Sequence, residues 1–547
     1  MNRKFVILLV WLLGTIGNYA QPISQNITKY THQDSLRGSI TPERSWWDLT
    51  FYDLEVTVDP TTKTIVGQNT IQYTVLNQHN RLQIDLQPPM RITNVTQNDK
   101  PLKLISDGNA HFIEFKTPQK LHSTQQITVQ FEGQPKEAVN APWDGGFSWK
   151  KDRNGTDFVA TSCQGLGASV WWPNKDHMYD EVDSMQIKVT VPKHLMAVAN
   201  GRLKKTTKSQ NNTSYTWFVS NPINNYGVNV NIGDYVNFSE IYQGEKGALD
   251  MDYYVLKHHL EKAKKQFSDA PKMMKAFEHW FGPYPFYEDS FKLVEVPYLG
   301  MEHQSSVTYG NQFKKGYLGR DLSGTGWGLK FDFIIIHEAG HEWFANNITN
   351  IDIADMWIHE GFTAYAENLF LDYYYGKKAS AEYVIGTRKR IQNDRPIIGD
   401  YNVNSEGSSD MYYKGANMIH MLRQLTNDDE KWRFILREMN EKFYHQTVTS
   451  QQIETYLSNA VGIELNSFFN QYLRDVRIPV FEYKIDQKEL KFRWSNVTNG
   501  FNMPLEIKSN GESIRLYPTE TWQTTTLNSS QISIDEDYYI TAKNLNQ

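Results

Sequence analysis

The stretch FIIIHEAGHEWFAN, residues 333–346, sets two histidines four positions apart with a glutamate directly after the first. On a helix, residues four apart share one face, so His337 and His341 can offer both imidazoles to one metal ion. Glu338 is rotated about 100° from that stripe. It can reach a water on the ion, not the ion itself. Gly340 costs about 1 kcal/mol in a helix interior relative to Ala, which points to close packing or function there. The competing interpretation is a core helix with two satisfied histidines. A chance H-E-x-x-H in a chain of this composition has a probability of roughly a few per cent, and a catalytic zinc needs three protein ligands plus water.

A third donor is sought downstream, in NITNIDIADMWIHEGFTAYAENLF, residues 347–370. Glu360 stands eighteen residues beyond His341, counted between them, in a pattern that starts a second helix after Asp355. A helix, a connection and a returning helix would bring it back to the ion. His359 is the rival donor, adjacent in sequence but facing another way. Spacing alone favours neither strongly. Glu367 lies two turns beyond Glu360 on the same face, either supporting the metal or substrate or simply solvated.

Outside this core the texture changes twice. Residues 41–238 alternate apolar and polar with β-branched and aromatic residues, as in LTFYDLEVTVDP, TIVGQNTIQYTVL and YGVNVNIGDYVNF, which predicts an all-β domain. From 239 to 475 helical spacing dominates. HHLEKAKKQFSDAPKMMKAFEHWFG runs to a stop at Gly282 and Pro283, and further helical patterns cover Phe333–Asn346, Ala354–Tyr375, Gly415–Leu425 and Asp428–Phe443. A strand-like FKLVEVPYLGMEHQSSVTYG precedes them. Alternation returns over 476–547, enough for one small β domain. The fold class is therefore α+β and multidomain.

The bulk numbers agree. A chain of 547 residues suggests about three domains. With 22% charged and 39% hydrophobic residues it is globular, and a net charge of −6 without a Lys/Arg run argues against nucleic acid as a partner. The opening MNRKFVILLVWLLGTIGNYA reads as a signal peptide, residues 1–20, followed by a linker, 21–40. Export to the periplasm or the exterior is expected. No later run of about twenty apolar residues predicts a membrane span in the mature chain. Cys163 is the only cysteine, so large cores and not disulfides hold the fold. Sequons such as Asn94-Val95-Thr96 and Asn347-Ile348-Thr349 occur in a chain rich in Asn and Thr, and carry little weight.

HEAGHEWFAN, eighteen residues, then WIHEGFTAYAE resembles the zinc signature of the gluzincin aminopeptidases, the family of aminopeptidase N and leukotriene hydrolase. Three other segments agree with it. PYLGMEHQSSVTYG is similar to the G-x-M-E-N exopeptidase motif, MYYKGANMIHML to the Y-x-K-G segment, and TSCQGLGASVWWPNKD to a loop carrying an amine-binding Glu or Gln. The resemblance runs from about residue 45 to 475. It implies a β saddle first domain, a thermolysin-like mainly helical catalytic domain, and one Zn2+ per chain on His337, His341 and Glu360.

Further roles follow from the same resemblance. Glu338 would activate a zinc-bound water and pass its proton to the leaving amine. Tyr412, not Tyr413, would donate to the oxyanion. Glu302 and Gln164 would hold the substrate's free α-amine, and Gly300 and Met301 its backbone. His303 replaces the motif's usual Asn and would set a titratable group beside the amine site, while Ser162 stands where a Gln is common. The family's long helical C-terminal domain has no counterpart in the last seventy or so residues, which implies a more open cleft. The implied function is a zinc aminopeptidase acting on peptides with free N-termini. A zinc endopeptidase and an inactive peptide-binding protein are the alternatives, with an epoxide hydrolase further behind.

Overall fold

A computed structural model describes residues 29–546. The expected signal peptide lies outside them, as does the first part of the expected linker. Among the described residues no helix is long and apolar enough to cross a membrane.

The alternation read in the sequence becomes strand register. In Trp47–Asp59, Tyr52, Leu54, Val56 and Val58 point into the core while their neighbours stay at least partly exposed. This strand pairs antiparallel with Thr64–Val75 and parallel with Ser184–Pro192, at the middle of an eight-stranded sheet. The Asp59 carboxylate closes the first turn by accepting from the Thr61 amide at 2.9 Å and the Thr62 hydroxyl at 2.8 Å. A separate four-stranded sheet includes Asp157–Ser162, which ends two residues before Gln164.

The boundary expected at 238 falls inside a strand. Tyr235–Gly244 pairs with Gly247–Leu256, and both belong to the five-stranded sheet of the second domain. Strand period is the same on both sides of a domain border, so alternation could not mark it. Next come the helices Leu260–Gln266 and Ala270–Phe281, the latter ending on Gly282 at φ 92° as expected. The metal-motif helix Phe333–Gly340, the long helix Trp357–Tyr375 and the helix Tyr413–Thr426 build the catalytic half.

Residues 480–544 form the expected small β domain, with one four-stranded and one three-stranded sheet. Its core side chains Phe481, Trp494 and Phe501 join the same apolar cluster as Trp357, Phe362 and Met418 of the catalytic half.

The segment 29–40 is not a loose linker. Thr31 and Asp34 form a capping box at the start of the helix His32–Gly38. Arg44, fully buried, donates to the carbonyls of Leu36, Arg37 and Ser39 and pairs with Asp85 at 2.7 Å. A two-turn helix held by a distant buried ion pair leaves almost no local periodic signal.

Candidate active site

The metal-motif helix is fixed at its start. Asp332 caps it, its carboxylate accepting from the amides of Ile334 at 3.1 Å and Ile335 at 3.4 Å. Gln266, Tyr309 and Asn311 hold that carboxylate in turn. The helix ends at Gly340, not at Asn346, because His341 turns the chain by donating from Nδ1 to the Phe344 carbonyl at 2.9 Å. His341 keeps helical dihedrals, φ −65° and ψ −17°, so the four-residue stagger with His337 survives.

Gly340 is where the two metal-motif helices touch. A Cβ there would sit 3.1 Å from Thr363 Cγ2 of the returning helix. That close approach brings Glu360, in the first turn of Trp357–Tyr375, to the histidines. Its Oε2 lies 3.3 Å from His341 Nε2 and 3.6 Å from His337 Nε2. His359 is not among the donors brought together with the two histidines, and its Nε2 accepts from the Asn350 amide at 2.9 Å.

These three residues fit a divalent ion. Both Nδ1 atoms are occupied: that of His337 faces Glu367 at 2.8 Å, and that of His341 faces the Phe344 carbonyl. The Nε2 atoms are therefore free to point at the third donor. Glu360 Oε2 is buried without a hydrogen-bond partner. Ligands about 2.0–2.1 Å from a tetrahedral ion stand roughly 3.3–3.4 Å apart, close to the spacing seen. Glu367, one of the two expectations for it, is a support: its other oxygen accepts from Tyr383 at 2.5 Å. Replacing Glu367 by Ala is expected to weaken metal affinity by about 10–100-fold, measured by competition with a chromogenic chelator. Unchanged affinity would show that His337 orients itself.

The electrostatics match that layout. Burial opposes charge on His337, but Glu360 and Glu367 outweigh it and raise its pKa well above the histidine range. Burial also opposes charge on Glu360, and the two imidazoles hold its carboxyl well below the usual carboxylate range. Burial pushes the Glu338 carboxyl up to about 7; the histidine charges oppose this and the Glu302 and Glu360 charges add to it. A carboxylate poised there suits proton transfer near neutrality.

Beside this centre Gln164 Nε2 donates to Glu302 Oε1 at 2.6 Å and to Glu360 Oε1 at 3.1 Å. Glu302, Glu338 and His341 bring donor atoms within 4.8 Å of one another. Gly300 and Met301 form the edge strand of the five-stranded sheet, paired on one side with Thr308 and Tyr309. Gly300 has to be glycine, because a Cβ would stand 2.5 Å from Ile334 Cγ2 of the metal-motif helix. Tyr412 has its ring centroid 6.0 Å from that of His337. Burial first, then the charges of Glu360 and Glu302, raise its pKa well above the phenol value, so it stays a donor. Tyr413 lines the same cavity, and burial first, then the Glu367 charge, raise its pKa above the phenol value.

One expected site residue is not brought to the cleft. His303 is fully buried, with Nδ1 3.3 Å from Thr308 Oγ1, and burial lowers its pKa to about 3. It stays neutral behind the strand and is not a titratable group facing substrate. It lies in the turn after the edge strand, its amide donating back to the Met301 carbonyl at 3.0 Å, and it does not line the cavity that Glu302 lines. Ser162 is likewise fully buried. Asn347 is 1% exposed, so its sequon is not presented to solvent.

All of the remaining site residues open on a cavity of about 1060 Å3. Its rim includes Lys29 and Tyr30, the loop Pro142–Asp144 and the loop Val403–Glu406. Tyr30 donates to Asp400 and, at 3.2 Å, to Ser405, fastening the N-terminal segment across the cleft mouth. No local pattern marks this rim, nor Asn346, whose amide donates to the Glu302 carbonyl at 2.9 Å. Asp332 was detectable as an N-cap before an apolar helical run.

Comparison with known proteins fits this geometry. A model of the peptidase M1 N-terminal domain matches residues 49–226, and one of the peptidase family M1 domain matches 266–472. Leukotriene A-4 hydrolase of Xenopus laevis is 24% identical over 368 residues, 63% of this chain and 56% of the relative. Puromycin-sensitive aminopeptidase of Caenorhabditis elegans is 21% identical over 451 residues, 77% of this chain and 46% of the relative. The chain thus spans about half the length of the curated relatives it matches. The fold is shared with a crystal structure of an M1 zinc metallopeptidase from Deinococcus radiodurans, at TM-score 0.68 and 19% identity, covering 81% of this chain and 96% of that one.

Proposed function

The chain belongs to peptidase family M1, and on that premise we propose that it is a zinc-dependent aminopeptidase removing N-terminal residues from peptides. The observation that carries the proposal is the Gln164–Glu302 pair, 2.6 Å apart and in contact with the metal-ligand carboxylate Glu360. The Glu302 carboxyl, buried with the neutral Gln164 amide beside the Glu360 carboxylate, suits a cation, and a peptide's α-ammonium is the cation that a free N-terminus supplies.

One zinc per chain is assigned to His337, His341 and Glu360, where it would supply Lewis acidity at the scissile carbonyl and lower the pKa of water toward 7. Glu338 takes a proton from the attacking water and returns it to the leaving amine. Tyr412 donates its hydroxyl hydrogen to the oxygen on which negative charge grows. Glu302 and Gln164 fix the ammonium, and the free edge of Gly300–Met301 aligns the first peptide unit as an added strand. A fixed distance from amine to reacting carbonyl limits each cut to one residue. Export follows as a further proposal from the basic and apolar opening of the chain, residues 1–20.

Peptides with free and N-acetylated termini, offered to the purified protein, test this reading. The free set is expected to be cleaved faster by on the order of 10⁴-fold, the rejection typical of a site whose buried polar groups are left unpaired. Equal cleavage of both sets would make the protein an endopeptidase. Metal-loaded protein that cleaves neither would be a peptide-binding protein that kept the fold.

A further inference from the structure

The segment from Lys29 to Gly38 crosses from one domain to the other at the mouth of the cleft. On the first domain, His32 Nε2 lies 2.8 Å from the Asp107 carboxylate, and Gln33 Nε2 donates to the Asp107 carbonyl and carboxylate at 3.1 Å each. Arg37 donates to the Asp176 carbonyl and pairs with its carboxylate at 3.2 Å. On the catalytic half, the end of the helix packs so closely on Val403 and Asn404 that a Cβ at Gly38 would collide with their backbone. Ahead of the helix the anchor is the Tyr30 hydroxyl, which donates to Asp400 and, at 3.2 Å, to Ser405.

The loop that receives Tyr30 is itself braced. The Asn402 amide donates to the Asp352 carboxylate at 2.8 Å, and Asn404 Nδ2 donates at 3.1 Å to the carbonyl of Gly165, the neighbour of Gln164. Tyr30 therefore ties the segment to a fixed point. Another edge of the mouth is the loop Pro142–Asp144, closed by the Asp144 carboxylate, which accepts from the amides of Val139 at 2.6 Å and Asn140 at 2.9 Å. A cavity of about 1060 Å3 is as wide as a sphere about 13 Å across, and an extended chain advances about 3.3 Å per residue, so about four residues fill it. A longer peptide, held by its first residue at Glu302, has to leave through the mouth where Lys29 and Tyr30 stand.

We propose that Tyr30 makes this segment a length filter: fastened to Asp400 and Ser405, it closes the cleft to peptides longer than about four residues, so that the substrate class is short free peptides and not long unfolded chains. A longer peptide binds only molecules in which Tyr30 has lifted from its partners, and its apparent affinity falls with that fraction. The helix behind stays in place, because the fully buried Arg44 holds the carbonyls of Leu36, Arg37 and Ser39. Lifting therefore concerns the residues ahead of the helix. This inference rests on the aminopeptidase reading, since length is counted from the held amine.

The test gives the zinc-loaded full chain a ladder of free-amine peptides with one N-terminal residue in common, from dipeptide to dodecapeptide. Wild type is expected to lose about tenfold in kcat/KM between tetrapeptide and dodecapeptide, the low end for breaking a hydrogen bond to a charged group, because Asp400 is exposed. The loss falls in KM while kcat barely moves. Tyr30→Phe is expected to flatten the ladder to within about twofold. Asp400→Ala, which does not line the cavity, should recover the dodecapeptide by a similar factor and leave the tripeptide unchanged. In a Tyr30→Phe background, Asp400→Ala should add almost nothing. A wild type that cleaves the dodecapeptide as fast as the tripeptide overturns the filter and leaves the aminopeptidase standing. So does a steep ladder that survives in Tyr30→Phe, which would put the limit elsewhere. A wild type that cleaves no free-amine peptide of any length overturns the aminopeptidase reading, and the filter with it.

Discussion

Changing Glu338 to Gln is expected to lower kcat by about 10²–10⁴-fold while zinc stays bound. The amide keeps the shape of the side chain but cannot accept the proton of the attacking water. Glu338 is not a ligand of the three-donor cluster, and its carboxyl, pushed by burial up to about 7, is tuned for transfer and not for permanent charge. Metal analysis and kcat on the same preparation check this. Lost metal would mean that Glu338 sits in the coordination shell. Retained kcat would give the base to another carboxylate, with Glu302 the nearest candidate.

The second large effect comes from His341. His341→Ala is expected to weaken zinc affinity by on the order of 10³-fold or more, because two donors remain where a catalytic ion needs three. Turnover should fall with the metal, in contrast to the Glu338 variant. The imidazole also ties the turn to the Phe344 carbonyl and stands 3.1 Å from Thr363 Oγ1, so a lower melting temperature should accompany the loss. Stoichiometric zinc after dialysis of the variant would overturn the assignment of His341. Binding replaces protons that the cluster holds. Burial opposes those protons, but the Glu360 charge raises the His341 pKa from the ordinary histidine value, so affinity falls as the pH is lowered.

Much of the site was legible because its chemistry is written in short-range spacing. Two imidazoles four apart, a carboxylate one turn into the next helix and a glycine at their crossing are local patterns, and each maps to a contact seen. The sheets were legible for the same reason, through period-two alternation in strands such as Trp47–Asp59. What the residues alone left open was direction. Glu360 against His359 turns on which donor atom is brought to the two imidazoles, and His303 on the turn after the edge strand that buries it. The helix His32–Gly38 and the cleft rim rest on partners up to 375 positions away, such as Tyr30 with Ser405, and no window of sequence contains both.

The far end of the chain grips the catalytic half from behind. Arg388 donates to the carbonyls of Glu536 and Asp537, and the Asp537 carboxylate pairs with His420 at 3.0 Å, on the helix that begins just after Tyr412. The metal ligands lie on other helices. Damage to the last strands, whether by clipping or by partial melting, therefore reaches the helix after Tyr412 through these bonds and the Glu360 helix through the apolar cluster that Phe481 and Trp494 share with Trp357 and Phe362. In a molecule so frayed, bound metal and rate are expected to decline together, because one apolar cluster runs from the last strands to the Glu360 helix.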